Sequence, residues 1–197
     1  MKNGKVAFFV TGNSNKFREA CDVLSRFQIA TAMINIEKIE IQDDDLKKIA
    51  ICSAVDAARK SGLPVFVEDA GLSINVLNGF PGPYSNYVYR RIGTKGILKL
   101  MDKIKRRDAY FRSVVAFCDP RETTEPLCFE GTVNGKIVYE ERGSQGFGFD
   151  PIFEPKGRSG ATFAEMFSHE KNRYSHRARA LRKFANYFAF RSPKRSF

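Results

Sequence analysis

The chain has 197 residues, 43% of them apolar and 28% charged. These are the proportions of one globular domain or two joined lobes, and they exclude wholesale disorder and fibrous repeats. Thirty-three Lys and Arg face 22 Asp and Glu, and the resulting +11 favours an anionic partner: nucleic acid, an anionic membrane or a phosphorylated small molecule.

The N-terminus turns polar at Thr11 and has no small-residue cleavage site, so a first strand is expected there and no signal peptide. Lys5 to Val10 reads as that strand. Apolar runs of this kind fall far short of the roughly 20 residues a membrane span needs, so no membrane partner is expected. Thr11-Gly12-Asn13-Ser14 is a turn cluster with N-cap candidates. The spacing of Phe17, Ala20, Cys21 and Leu24 predicts a helix from Asn15 to Arg26. Ile29 to Ile36 is a second strand. Asp43 to Asp45 precede a helix with an inner stripe of Leu46, Ile49, Ala50, Ser53 and Ala57, ended by Gly62. Pro64 to Asp69 is a buried strand.

Gly79 to Pro83 is a rigid loop, followed by helical patterns at Tyr84 to Arg91 and Thr94 to Lys105. Tyr110 to Cys118 is a long strand. Leu127 to Val133 and Lys136 to Glu140 flank Asn134-Gly135, a strong signal for a type I′ hairpin. The last helix carries Ala178, Leu181, Ala185 and Phe188 inward. The whole predicts a mixed α/β fold of 1–190, a long twisted sheet with flanking helices forming two lobes and a cleft between them. Residues 191–197 form a basic, frayed tail. Cys21, Cys52, Cys118 and Cys128 have no CxxC spacing and sit among apolar neighbours. Reduced thiols and a cytoplasmic protein are expected, without a zinc site.

Charge is unevenly spread. From Glu154 to Phe197 there are eleven Lys or Arg and three Glu, while between Asn35 and Ala70 eight acids face five bases. The two patches suit a metal and its anionic ligand, or are plain solvated faces with a basic tail. Four segments carry chemistry. TGNSNK joins a strand to a helix N-terminus, where Thr11, Gly12, Asn13, Ser14, Asn15 and Lys16 offer donors, close backbone approach and a point charge for phosphate. It is not a Walker A pattern, and the alternative is an N-cap cluster beside a surface lysine. Glu68-Asp69 ends a buried strand and Glu40 lies at the exit of the preceding one. Two such carboxylates suit Mg²⁺, or are ordinary solvated acids. Gly146-Phe147-Gly148-Phe149-Asp150 makes either a base-stacking platform or loop anchors on the core. Lys171 to Arg177 opens the last helix with groups that bind phosphate or read a base edge, or face solvent behind a Ser175 N-cap.

In order, TGNSNK (11–16), EDAG (68–71), GFPGPYS (79–85), GFGFDPIF (146–153), TFAEM (162–166) and EKNRYSHR (170–177) make the chain resemble the inosine triphosphate pyrophosphatases over nearly its whole length. The resemblance implies hydrolysis of ITP, dITP and XTP to the monophosphate and pyrophosphate, with Mg²⁺, in a homodimer without a stable nucleic-acid partner. It implies that residues 11–16 hold the phosphates, that Asp69 activates water for attack at the α-phosphorus, and that Glu40 shares the metal with Asp69. Phe147, Gly148, Phe149 and Asp150 would form the base pocket, with Phe149 stacking. Lys171 would reach substrate, and His176 and Arg177 would read the purine oxygens. Two positions depart from the pattern. Ala70, against the substrate, stands where the family usually has Ser. The stretch Ala50 to Ala58 has no lysine and contains Asp56, which leaves Arg59 or Lys60 to compensate. Two other readings stay open: a related house-cleaning pyrophosphatase with other base specificity, and a basic nucleic-acid-binding protein.

Overall fold

The computed structural model describes residues 5–122, 125–157 and 160–191. The basic tail from 192 onward lies outside them. Arg191, assigned to that tail, is anchored: its guanidinium donates to Asp119 and, at 2.8 Å, to Glu122.

Among the described residues, seven strands and five α-helices follow one another along the chain. They are β1 (Lys5–Val10), α1 (Ser14–Ser25), β2 (Ile29–Ile34), α2 (Leu46–Ser61), β3 (Val65–Ile74), β4 (Pro81–Gly82), α3 (Ser85–Leu100), β5 (Asp108–Cys118), β6 (Leu127–Ile137), β7 (Phe153–Pro155), α4 (Ser168–Tyr174) and α5 (His176–Phe190). All strands join one sheet in the order β2-β1-β3-β5-β6-β7, with β4 beside β3. β1 pairs in parallel with β2 and β3, and the remaining pairs are antiparallel. The mixed α/β class read from the sequence is the one observed.

Local chemistry explains the elements. The Asn13 side chain caps α1 by accepting from the N–H groups of Asn15 and Lys16. Asp45 caps α2 by accepting from Lys47 N–H, and Gly62 ends that helix in the left-handed conformation. All five residues of the predicted α2 stripe are buried. β3 divides the core by its period of two. Phe66 faces α1 and α5 in one apolar cluster, with Phe9, Leu24, Phe117 and Phe184. Val65 and Val67 face α2 in another, with Val10, Leu46, Ala50 and Ala54. A third cluster gathers Leu72, Ile74, Ile97, Met101, Phe111, Val133 and Phe153.

Five expectations change. Lys171 to Arg177 do not together open the last helix: Lys171–Tyr174 end α4, and α5 begins at His176 behind the Ser175 cap, whose extended backbone breaks the helix there. β3 does not stop at Asp69 but runs to Ile74, because β5 pairs with it along its full length. β2 stops at Ile34, so Glu40 lies within the loop 35–45 and not at a strand exit. Asn134-Gly135 is not a hairpin turn. β6 passes straight through it, and neither residue takes the positive φ a type I′ turn needs. Gly135 instead admits β7, since a Cβ there would lie 2.3 Å from Glu154 O. The two helical patterns at 84–105 are one element, kinked at Gly93 (φ 61°, ψ −167°) and ended at Leu100.

α5 rests on β6 at Gly131, where a Cβ would lie 2.1 Å from His176 O and 2.6 Å from Ala180 N. Both are backbone atoms that can move only with the helix. Gly131→Ala should therefore cost about 1–3 kcal/mol, lowering Tm by roughly 2–12 °C in thermal unfolding. An unchanged Tm would contradict the contact.

Candidate active site

β1 accompanies β3 only at Phe8↔Val65 and Phe9↔Phe66. β4 rejoins the same edge at Leu72↔Gly82. Between these contacts β3 has β5 on one side and an open edge on the other. Glu68, Asp69 and Ala70 lie in that window, where β1 turns away at Thr11. A parallel strand ending beside an antiparallel continuation is a switch in strand order, the place where α/β sheets open to ligands.

Period two again decides direction. Glu68 shares Phe66's face and points toward α5, where its side chain is fully buried. Its Oε1 accepts from Ser113 Oγ at 2.6 Å and lies 3.1 Å from Arg177 Nε, and its Oε2 lies 2.9 Å from Lys16 Nζ. Burial opposes its charge, but Arg177 and Lys16 outweigh burial and hold the carboxyl well below the usual range. The chain of charges continues. The Arg177 guanidinium donates to Glu19 Oε2. Lys171 Nζ donates to Glu19 Oε1 at 2.8 Å and to Asp150 Oδ2 at 2.6 Å. Asp150 Oδ2 also accepts from Phe147 N–H at 2.8 Å, fixing the loop 146–150. Burial works against the Glu19 charge, yet Arg177 and Lys171 bring its pKa down to about 2. Asp150 shares Lys171 with Glu19, and burial raises its pKa.

Asp69 faces the other way, on Val67's side of the sheet, half-buried, with Oδ1 accepting from Ala70 N–H at 2.9 Å. Burial raises its pKa, the Lys16 ammonium opposes the rise, and Glu68 adds to it. Glu40 is exposed and carries the Lys38 ammonium on Oε1, a contact that lowers its pKa. Lys16 and Lys38 act on both Glu40 and Asp69. The two carboxylates therefore share the same two cationic neighbours, and the Lys38 ammonium rests on Glu40. Two hard oxygen donors suit hydrated Mg²⁺, which takes few protein ligands. Among the described residues no group of three or more His, Cys, Asp or Glu forms a cage.

The remaining sequence candidates fall as follows. Thr11 is buried and its Oγ1 accepts from Asn13 N–H at 3.1 Å. Gly12 and Ser14 are exposed, and Asn15 is half-buried. Asn13 already takes the N–H groups of Asn15 and Lys16, so the helix end offers an anion less than the bare motif promised. Phe149, chosen for stacking, is 3% exposed and packs edge-on to Tyr89 at 5.4 Å. Phe147 is half-buried, with Lys171 and Arg177 over its ring at 4.9 and 5.4 Å. Gly148 is half-buried between them. His176 is buried, stacked on Phe111 at 4.5 Å with Nδ1 unpartnered, and burial lowers its pKa so that it is neutral. Arg177 is spent on two carboxylates. Arg59 and Lys60 both pair with Asp56, at 3.2 and 2.8 Å, so neither replaces the absent mid-helix lysine.

Residues 7–187 match the family model described as the Ham1 family. The chain belongs to the Ham1 family. A protein named dITP/XTP pyrophosphatase from Methanosarcina mazei is 48% identical over 180 residues, covering 91% of this chain and 95% of that protein. One of the same name from Saccharolobus solfataricus is 46% identical over 187 residues, covering 95% of each. Among solved structures, a HAM1 protein from Coxiella burnetii superposes with a TM-score of 0.82 at 29% identity, covering 93% of this chain and 98% of that one.

Two members of this Ham1 site were missed in the sequence. Ser113 had no signal. Glu19 had one: it is four residues before Val23 and so shares that residue's buried helix face, where an acid needs a partner. Glu19→Gln keeps the shape but removes the negative charge between two buried cations. Breaking such a pair costs about 3–5 kcal/mol, seen as a lower urea midpoint at pH 7. Because the folded pKa of about 2 lies below the ordinary 4.5, the stabilisation is complete above 4.5 and lost as pH falls toward 2. The variant should lose stability less steeply across that window. Equal acid slopes would contradict the pairing.

Proposed function

We propose that this chain hydrolyses the non-standard purine nucleoside triphosphates ITP, dITP and XTP to the monophosphate and pyrophosphate, with water attacking the α-phosphorus. The observation that carries the reading is Asp69, a carboxylate of raised pKa in an open sheet window beside Lys16, in a chain nearly half identical to dITP/XTP pyrophosphatases. Asp69 is the general base, and burial together with the neighbouring Glu68 raises its pKa, which makes it a stronger proton acceptor than an ordinary aspartate. Glu40 and Asp69 would hold Mg²⁺, which when bound neutralises phosphate charge and lowers the pKa of a bound water. Lys16, 20% exposed, meets the triphosphate with Ser14 and Gly12.

On the base side, half-buried Phe147 is the aromatic face the loop 146–150 offers for stacking. Lys171 spends one N–H on Glu19 and one on Asp150, leaving its third for a purine oxygen. Inosine and xanthine present an oxygen at C6, whereas adenine presents a second donor that leaves the ammonium unpaired. The outer face of α3 and the preceding loop expose Phe80, Tyr87, Ile92 and Leu100 at 40–61%, an apolar surface suited to a second copy in a homodimer. Free cysteines accord with a cytoplasmic setting, and among the described residues no helix is long and apolar enough to cross a membrane.

The test is product analysis with ITP, XTP, GTP and ATP in Mg²⁺. ITP should yield IMP and pyrophosphate, and ATP should be a poor substrate. IDP and inorganic phosphate as first products would overturn the reading. Asp69→Asn should lose at least about 10²-fold in kcat with its fold intact.

The two loop aromatics should part company. Phe147→Ala should lower kcat/KM for all purines by roughly 5- to 150-fold, the value of one stack. Phe149→Ala should cost about 3–5 kcal/mol of stability. The reverse pattern would return the stacking role to Phe149.

A further inference from the structure

The loop 35–45 is gripped by α2 on both sides of Lys38. Ser53 Oγ donates to Ile39 O at 2.7 Å, Ile39 N–H donates to Asp56 Oδ2 at 2.9 Å, and Lys60 Nζ donates to Glu37 O at 3.0 Å. Asp56 is buried and holds Lys60 and Arg59 in place. Residues 37 and 39 are thus both held by α2. Lys38, between them, is 18% exposed and ends on Glu40, and its charge acts on Asp69.

The other cations of the site have less freedom. Lys171 and Arg177 are each 3% exposed and held by buried carboxylates. Lys16 is held by the buried Glu68. Lys38 alone among these four rests on an exposed partner, since the Glu40 side chain is 73% exposed. An ammonium on an exposed carboxylate is weakly held and exchanges readily with a better anion.

We propose that Lys38 is a phosphate-binding residue of this chain. In the ligand-free protein its ammonium sits on Glu40 where a divalent cation would bind, and a triphosphate or pyrophosphate draws it across to the phosphate oxygens. This takes the place of the mid-helix lysine that α2 lacks. Ser53, Asp56 and Lys60 are positioning residues that keep the loop, and so Lys38, over the cleft. The inference rests on the pyrophosphatase reading for its substrate but not for its test.

The test measures two affinities without turnover: Mn²⁺ binding to the nucleotide-free protein by electron paramagnetic resonance, and pyrophosphate binding by calorimetry. Lys38→Gln should bind Mn²⁺ several-fold more tightly, because Glu40 loses its internal cation. It should bind pyrophosphate roughly tenfold or more weakly, the value of a charged hydrogen bond. Lys38→Arg should restore pyrophosphate binding. Asp56→Asn, with Lys38 present, should weaken pyrophosphate binding by loosening the loop. Pyrophosphate affinity unchanged in Lys38→Gln would overturn the inference, as would weakening of both ligands together. A wild-type protein inactive on ITP would overturn the proposed function while leaving these binding comparisons readable.

Discussion

A carboxylate with no solvent exposure sits in the middle of this sheet, and it must be neutralised. Glu68 is neutralised by Lys16 from α1 and Arg177 from α5. Arg177 then needs Glu19, Glu19 engages Lys171, and Lys171 engages Asp150. The alternation of sign runs from β3 to the loop 146–150, and each member is a tenth exposed or less except Lys16. The first turn of α5 and the loop 146–150 are therefore held against β3 by these paired charges, with Ser113 Oγ on Glu68 and Phe147 N–H on Asp150 as neutral supports. The Gly131 contact sets the depth of α5, and the ion chain sets which of its residues point inward.

The same pairing governs how the site meets a ligand. The structure pairs the deep cations Lys171 and Arg177 with buried carboxylates. The phosphate side keeps its cations on shallower footing. Some of the basic side chains have a structural task within the fold. Arg182 donates to Asn172 O and Arg173 O, and Arg179 donates to Tyr174 O, so two arginines of α5 cap the C-terminus of α4. Lys5 does the same for α5 through Phe188, Ala189 and Arg191 carbonyls.

Periodicity made the helices legible. The α2 stripe and its Asp45 and Gly62 ends came directly from local sequence, as did β1, β5 and the inward residues of α5. Strand ends were less legible, because pairing decides them. β3 continues past its acids only because β5 runs alongside, and Asn134-Gly135 lost its turn to β7. Motif order located the residues of the site, but not their burial. Nothing local distinguishes Phe147 from Phe149, yet Phe149 is buried against Tyr89 and Phe147 stays half-buried. The ion chain was invisible as a chain, since its members lie as far apart in sequence as Glu19 and Arg177.

The most direct measurement of that chain is a double-mutant cycle between its ends, Glu68→Gln and Asp150→Asn, read as unfolding free energy in urea. Among the described residues no ion pair joins these two directly, so independent sites would add within about 0.3–0.5 kcal/mol. A connected chain predicts a coupling larger than about 0.5 kcal/mol, because relaxing one end redistributes Arg177, Glu19 and Lys171 toward the other. Strict additivity would show that the carboxylates are neutralised pairwise and that no continuous network joins the phosphate side of the site to its base side.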